Sequence, residues 1–149
     1  MKLKALTALL AHCALIAALP LGVNAQTQSP VKVGLVSSKS GVFAQQGEEV
    51  MRGVKFAVEE VNAKGGVDGR KVELAEGDDE GTPEAGRRVA EKLAREGHNL
   101  LIGAIPSSIS LAIAQGLYRW DAAYFSVISK SDKRTAEACR PRSFRTVHS

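Results

Sequence analysis

The chain has 149 residues, of which 44% are hydrophobic, 24% charged and 5% aromatic. That length holds one domain or part of one and excludes two complete ones, and the balance of apolar and charged residues excludes a disordered chain. The formal charge of +4 comes from 20 Lys+Arg against 16 Asp+Glu; Lys2 and Lys4 precede residue 26 and no acid does, so the excess beyond the leader is +2, too small to mark a nucleic-acid or membrane-surface binder.

Residues 1–25 read as a cleaved secretory signal peptide. Lys2 and Lys4 form the positive end, Ala5 to Leu19 is an apolar run, Pro20 and Gly22 break it, and Val23-Asn24-Ala25 supplies the peptidase site. The run is shorter than the ~20 residues of a membrane span. Cys13 follows His12 inside the run, which argues against a lipid anchor. The expectation is export to the periplasm, with residues 26–149 as the mature part. Cys139 is then the remaining cysteine, and in a disulfide-favouring compartment a single thiol is free or lacks its partner.

Strand-like and helix-like segments alternate after the leader. Lys32 to Val36 is a short apolar strand, followed by a Ser/Gly loop, Ser37 to Gly41. From Gly47 the period becomes helical, with Val50, Val54, Ala57, Val58 and Val61 on one stripe. Gly65-Gly66 ends that helix, Val67 to Arg70 turns the chain, and Lys71 to Glu76 is the next strand. Thr82-Pro83-Glu84 opens a second helix with a cap, a first-turn proline and an acid at the positive dipole end. Ala85, Val89, Ala90, Leu93 and Ala94 form its buried stripe, and Glu84–Arg88 and Glu91–Arg95 are candidate ion pairs one turn apart.

Gly97 stops the second helix, and Leu100 to Gly103 reads as a strand covered on both faces. Ser107-Ser108 starts a third helix with Ile109, Ile113 and Leu117 inward and Trp120 near its end; Gly116 weakens its continuity. Ala123 to Ile128 is a fourth strand, and Phe144 to Val147 begins a fifth with an exposed apolar edge. The alternation sets an α/β fold, a parallel sheet with helices on both faces. From the unpaired Cys139 and that last strand, the expectation is a truncated reading frame or a fragment.

Ligands of open parallel sheets bind beyond the carboxyl ends of the strands. Three serine-rich loops reach that edge: Ser37 to Gln46, Gly103 to Ser110 and Ser126 to Asp132. Ser107 and Ser108 stand at a helix N-terminus suited to a carboxylate or phosphate, although composition alone favours a plain capping role for Ser107. Lys130 can pair with an anionic group, or simply be solvated. Asp78-Asp79 reads as a solvated acidic turn, because no histidine or third acid is spaced to complete a metal site. His98 and His148 are isolated and neither phosphate-loop pattern occurs, so no enzyme, catalytic residue, metal or cofactor is expected.

Val33-Gly34-Leu35-Val36 through Ser40-Gly41, Ala44, Gly47, Gly53 and Ala57 resembles the opening of the Leu/Ile/Val-binding family, the type I periplasmic substrate-binding proteins of ABC transporters. The resemblance continues in order through Val61-Asn62-Ala63-Lys64-Gly65-Gly66-Val67-Asp68-Gly69, Asp78-Asp79, Thr82-Pro83, Ala90, Leu93, Ile102-Gly103, Ser107-Ser108 and Phe144-Arg145-Thr146. It implies a Rossmann-like lobe of a two-lobed protein whose cleft closes over a small solute and docks on a membrane permease. Residues 26–149 correspond to part of the N-terminal lobe. Ser107 matches the serine that holds the ligand carboxylate in amino-acid-binding members. Gln46 stands where such members carry an aromatic ring, and Lys130, flanked by Ile128 and Ser129, where they carry a small residue or threonine. With Ser40 and Ser108 these complete the expected ligand-binding set, for an amino acid or a more polar or anionic carboxylate or amide. The other classes weighed are a periplasmic ligand-sensing domain of a signalling protein, an exported α/β enzyme without a visible nucleophile–base pair, and a non-functional remnant.

Overall fold

The computed structural model describes residues 28–134 and 136–148; the expected signal peptide lies outside the described residues. The elements follow as β1 (Val31–Ser37), α1 (Ala44–Ala63), β2 (Val72–Asp78), α2 (Pro83–Arg95), β3 (Leu100–Gly103), α3 (Ser107–Ala114), β4 (Ala123–Ser126) and β5 (Ser143–Arg145). The strands make one parallel sheet in the order β2-β1-β3-β4-β5. The chain steps from β1 to β2 on one side, then crosses back over β1 to β3. With right-handed crossovers this reversal sends α1 to one face and α2 and α3 to the other. Side chains agree. A Cβ on Gly34 would lie 3.2 Å from the Leu93 Cβ of α2, whereas Ser37, of opposite parity, donates to the Gly47 carbonyl of α1 at 3.2 Å.

The core lies between the sheet and the α2–α3 layer. Leu101, Ile109, Ile113, Leu117 and Tyr124 are buried there with Val36, Ala90 and Leu93, each large aliphatic contributing roughly 1.5–3 kcal/mol by its removal from water. α2 begins as its sequence requires: the Thr82 Oγ1 accepts from the Ala85 amide at 3.2 Å and Pro83 opens the first turn. Its wet face carries the expected Glu91–Arg95 pair at 2.6 Å, but no Glu84–Arg88 pair forms among the described residues. Gly65, Gly66 and Gly97 adopt the left-handed conformation that ends the helices before them.

Several expectations need correction. α3 ends at Ala114, so Gly116, Leu117 and Trp120 lie in the turns beyond it, and β5 covers Ser143–Arg145 rather than Phe144 to Val147. α1 starts at Ala44, continuous with a 3-10 turn at Gly41–Phe43; its stripe is only half-buried at Val50, Val54 and Val58, and Ala57 and Val61 are exposed because the helix meets the sheet only near β1 and β2. β2 runs two residues further than read, to Asp78, in register with Ser37. β3 is covered on one face: Leu101 is fully buried while Leu100 is 40% exposed, on the side where Phe125 stacks on the half-exposed Phe144 at 5.0 Å. β4 stops at Ser126 rather than Ile128, because the chain then bends to bring Ser129 under α3.

Gly116 has a packing cause. A Cβ there would lie 2.2 Å from the Trp120 ring, which folds back beneath the end of α3. Inside a helix, Gly116→Ala would stabilise by up to about 1 kcal/mol, but Gly116 lies two residues beyond α3. The packing predicts a loss of about 1–3 kcal/mol instead, measured by urea unfolding and followed by the fluorescence of Trp120, the sole tryptophan of the chain.

Candidate functional site

The reversal between β1 and β3 opens a crevice at the carboxyl edge of the sheet, where parallel α/β folds bind ligands. β3 leaves the sheet through Gly103 (φ +117) and Ala104 (φ +54). A Cβ at Gly103 would sit 2.1 Å from the Val36 carbonyl, so only glycine permits the approach. The Ala104 amide donates to that carbonyl at 2.7 Å, and the buried Tyr124 hydroxyl donates to the Gly103 carbonyl at 2.5 Å while accepting from the Ser110 hydroxyl at 2.9 Å. Holding Ala104 left-handed costs of order 1 kcal/mol. These contacts over-determine the turn and fix where α3 begins.

At the start of α3, Pro106 occupies the cap position and offers no side-chain acceptor. Ser107 is the first helical residue, so the capping role read from composition is wrong. Its Oγ accepts a hydrogen bond from the Ser129 Oγ at 2.9 Å. Ile109 and Ser110 donate to the Pro106 carbonyl, which leaves the Ser107 and Ser108 amides, among the described residues, as the open donors of a helix end that carries partial positive charge. The loops after β3 and β4 are thereby joined through two hydroxyls beside free amides, an arrangement suited to an oxyanion.

The other expected residues are less tightly gathered. Ser129 is buried, Ile128 half-buried, and Ser108 and Lys130 are exposed; the Lys130 carbonyl accepts from the Arg145 guanidinium at 3.1 Å. Ser40 and Gln46 are exposed on the loop after β1 and the first turn of α1. They come to the same edge because β1 neighbours β3, yet among the described residues they make no hydrogen bond to Ser107, Ser108, Ser129 or Lys130. Cys139 is exposed with a free thiol.

The acidic pair departs most from expectation. Asp79 is not a solvated turn residue but fully buried. Its Oδ1 accepts from the Ser38 hydroxyl at 2.5 Å and the Gly81 amide at 2.9 Å, and its Oδ2 has no partner. Burial pushes this carboxyl above the ordinary 3.8, outweighing those two donors, and the charge of Asp78 pushes the same way. Asp78 accepts from the Lys39 and Glu80 amides and the Ser40 hydroxyl; burial raises its carboxyl, but these donors together bring it below 3.8. Glu76, two residues earlier, binds Lys39 at 2.9 Å and Lys55 at 2.8 Å, and these hydrogen-bonded lysines hold it below 4.5 against a smaller effect of burial. No group of three metal-capable side chains occurs among the described residues. Ser38 and Asp79 were missed because burial is invisible in a pair of adjacent acids; the facing Ser37-Ser38 run was the available signal.

The shifts have opposite consequences for stability. A folded Asp79 holds its proton more tightly than an unfolded one, so its contribution falls as pH rises from 3.8 through its native value and is level above. Asp79→Asn lacks this dependence, so across that interval the stability difference should move in favour of the asparagine variant as pH rises. Glu76 contributes stability above 4.5 that is lost as pH falls through its lower native value, so the cost of Glu76→Gln should shrink on acidification. Urea unfolding of the three proteins across acidic to neutral pH measures both trends.

Comparisons with known proteins converge on one family. The model of the periplasmic binding protein family matches residues 30–149. The Leu/Ile/Val-binding protein BraC3 of Rhizobium johnstonii is 34% identical over 117 residues, 78% of this chain and 30% of that protein. Among solved structures, an ABC transporter substrate-binding protein from Desulfitobacterium hafniense complexed with Leu aligns with a TM-score of 0.70 at 29% identity, covering 82% of this chain and 35% of that one. An ABC transporter solute-binding protein from R. palustris in complex with benzoate aligns with a TM-score of 0.71 at 28% identity, covering 80% and 33%. The chain therefore spans about a third of the length of these relatives. With its 2-1-3-4-5 parallel sheet and its match over residues 30–149, the chain belongs to the periplasmic binding protein family, among relatives of the Leu/Ile/Val-binding kind.

Proposed function

We propose that residues 28–148 form one wall of the solute cleft of an exported binding protein that serves an ABC importer, and that this wall holds a carboxylate at the N-terminus of α3. The observation that carries this reading is the Ser129–Ser107 hydroxyl pair beside the open Ser107 and Ser108 amides. Charge-assisted hydrogen bonds to such a group are stronger than neutral ones. Leu and benzoate, the ligands of the two aligned structures, share a carboxylate and little else, which supports that group as the common anchor. The protein works in the periplasm, consistent with the family and with the leader, and hands its solute to a membrane permease. It acts by binding, without catalysis or cofactor.

Lys130 narrows the solute. It follows Ser129 directly and is exposed at the same edge, so a solute with a second anionic or strongly polar group gains from it, whereas the aliphatic side chain of leucine does not. Gln46 offers a further polar contact and Ile128 a partly apolar one, while the Ser40 hydroxyl, which donates to Asp78, can meet a solute only as an acceptor.

Titration of the mature chain with benzoate, succinate, leucine and the corresponding amides tests this reading. One wall binds weakly, with an expected Kd of about 1 mM, and the carboxylates should bind in preference to their amides. Ser107→Ala should weaken carboxylate binding about tenfold. Lys130→Gln should weaken succinate about twofold to fivefold and leave leucine unchanged. Tighter binding of leucine than of succinate would overturn the solute class, and indifference to Ser107→Ala would overturn the anchor.

A further inference from the structure

The last register pair of β1 and β2 is Ser37 opposite Asp78. Beyond it the two strands should splay apart, yet three consecutive residues of the outgoing loop are each held by a carboxylate from the end of β2. Ser38 donates to the buried Asp79 at 2.5 Å. Lys39 donates its amide to Asp78 at 2.8 Å and its ammonium to Glu76 at 2.9 Å. Ser40 donates its hydroxyl to Asp78 at 2.8 Å. On the opposite side the loop is closed by α1: the Ser37 hydroxyl bonds the Gly47 carbonyl, and a Cβ on Gly47 would lie 1.7 Å from the Ser38 carbonyl.

These acids stand at the edge proposed to hold a carboxylate, where bare negative charge would repel the solute. Their oxygens are instead turned to the protein. Asp78 receives three donors, Asp79 is fully buried, and Glu76 is matched by two lysines. They therefore serve to hold the loop rather than to meet a ligand. We propose that Asp78 and Asp79 are positioning residues of the solute site, clasping Ser38–Ser40 to the end of β2 so that Ser40 and Gln46 face the crevice. This rests on the solute-cleft reading above, and it adds a residue pair that acts on the solute only through the loop.

Amide hydrogen exchange on the mature chain, without any solute, reads the clasp directly. Asp78→Ala should raise exchange of the amides in residues 39–47 at least about tenfold, a loss of roughly 1.4 kcal/mol of local protection, while β3 and α2 keep theirs. Asp78→Asn retains an acceptor for the Lys39 and Glu80 amides and should restore most of the protection. Asp79→Asn keeps the acceptor for Ser38 and should resemble the parent, which covers the case in which Asp79→Ala does not fold. Unchanged exchange in Asp78→Ala, or an equal rise throughout the chain, would overturn the clasp.

Benzoate titration of the same variants then separates positioning from structure. A threefold to tenfold weaker binding in Asp78→Ala, recovered in Asp78→Asn, is the expected result (about one lost hydrogen bond). Unaltered binding in a variant whose loop has loosened would overturn the positioning role. Failure of the parent chain to bind any carboxylate would overturn the solute-cleft reading and the positioning role with it, while the exchange pattern would still report the clasp.

Discussion

A carboxylate fully removed from water, with one oxygen bonded to Ser38 and Gly81 and the other to nothing, is an expensive thing to keep in a chain of this size. Asp79 is kept at the seam where the loop after β1 meets the start of α2. Its bond from Ser38 joins segments 41 residues apart in sequence, and its bond from Gly81 closes the local turn. Asp78 and Glu76 extend the same seam outward into water. That seam holds the first loop at the carboxyl edge. It sets the height of the first loop, it brings α1 close enough that Gly47 can bear no side chain, and it leaves the crevice between β1 and β3 open.

The opposite wall of the crevice is built from different physics. There the backbone is forced through Gly103 and Ala104 by the Val36 carbonyl and the Tyr124 hydroxyl, so that α3 begins with its free amides at the edge of the sheet. The Ser129 hydroxyl then locks the Ser107 hydroxyl in place from the neighbouring loop. In the proposed reading, a carboxylate arriving at this point would meet donors already oriented, with little ordering left to oppose binding. The two walls thus divide the work. In that proposal the acids fix position without offering charge to the solute, and the helix end supplies the positive potential for its first carboxylate.

Much of this was legible in the residues, for reasons that are local. Thr82-Pro83 and Gly97 bound α2 because capping chemistry involves only adjacent atoms. Leu100–Gly103 was found to the residue because four apolar residues between turns have one reading in a parallel sheet. Ser107 was picked out by its place before an apolar helical run, but its partner Ser129 lies 22 residues away, and no local pattern links them. Asp79 failed for the same reason: adjacent acids look alike, and only the packing of Ser38, Gly81 and Gly86 around one of them makes it a core residue. The stripe of α1 is correctly placed but only partly covered, because the helix packs on β1 and β2 and leaves Phe56 and Val61 in water. Periodicity names the apolar face but not the area it meets.

The central claim is that a solute carboxylate lodges at the first turn of α3, bonded to the Ser107 hydroxyl and the open amides beside it. Isotope-filtered NMR of the mature chain with benzoate labelled at its ring carbons, together with the amide shifts it induces, tests this most directly by locating the solute. The account predicts shifts centred on Ser107, Ser108 and Ile109, with aromatic contacts of benzoate reaching Ile128 and Ser129. Shifts centred instead on the basic outer surface between Arg95 and Arg119, or spread without a focus, would contradict it.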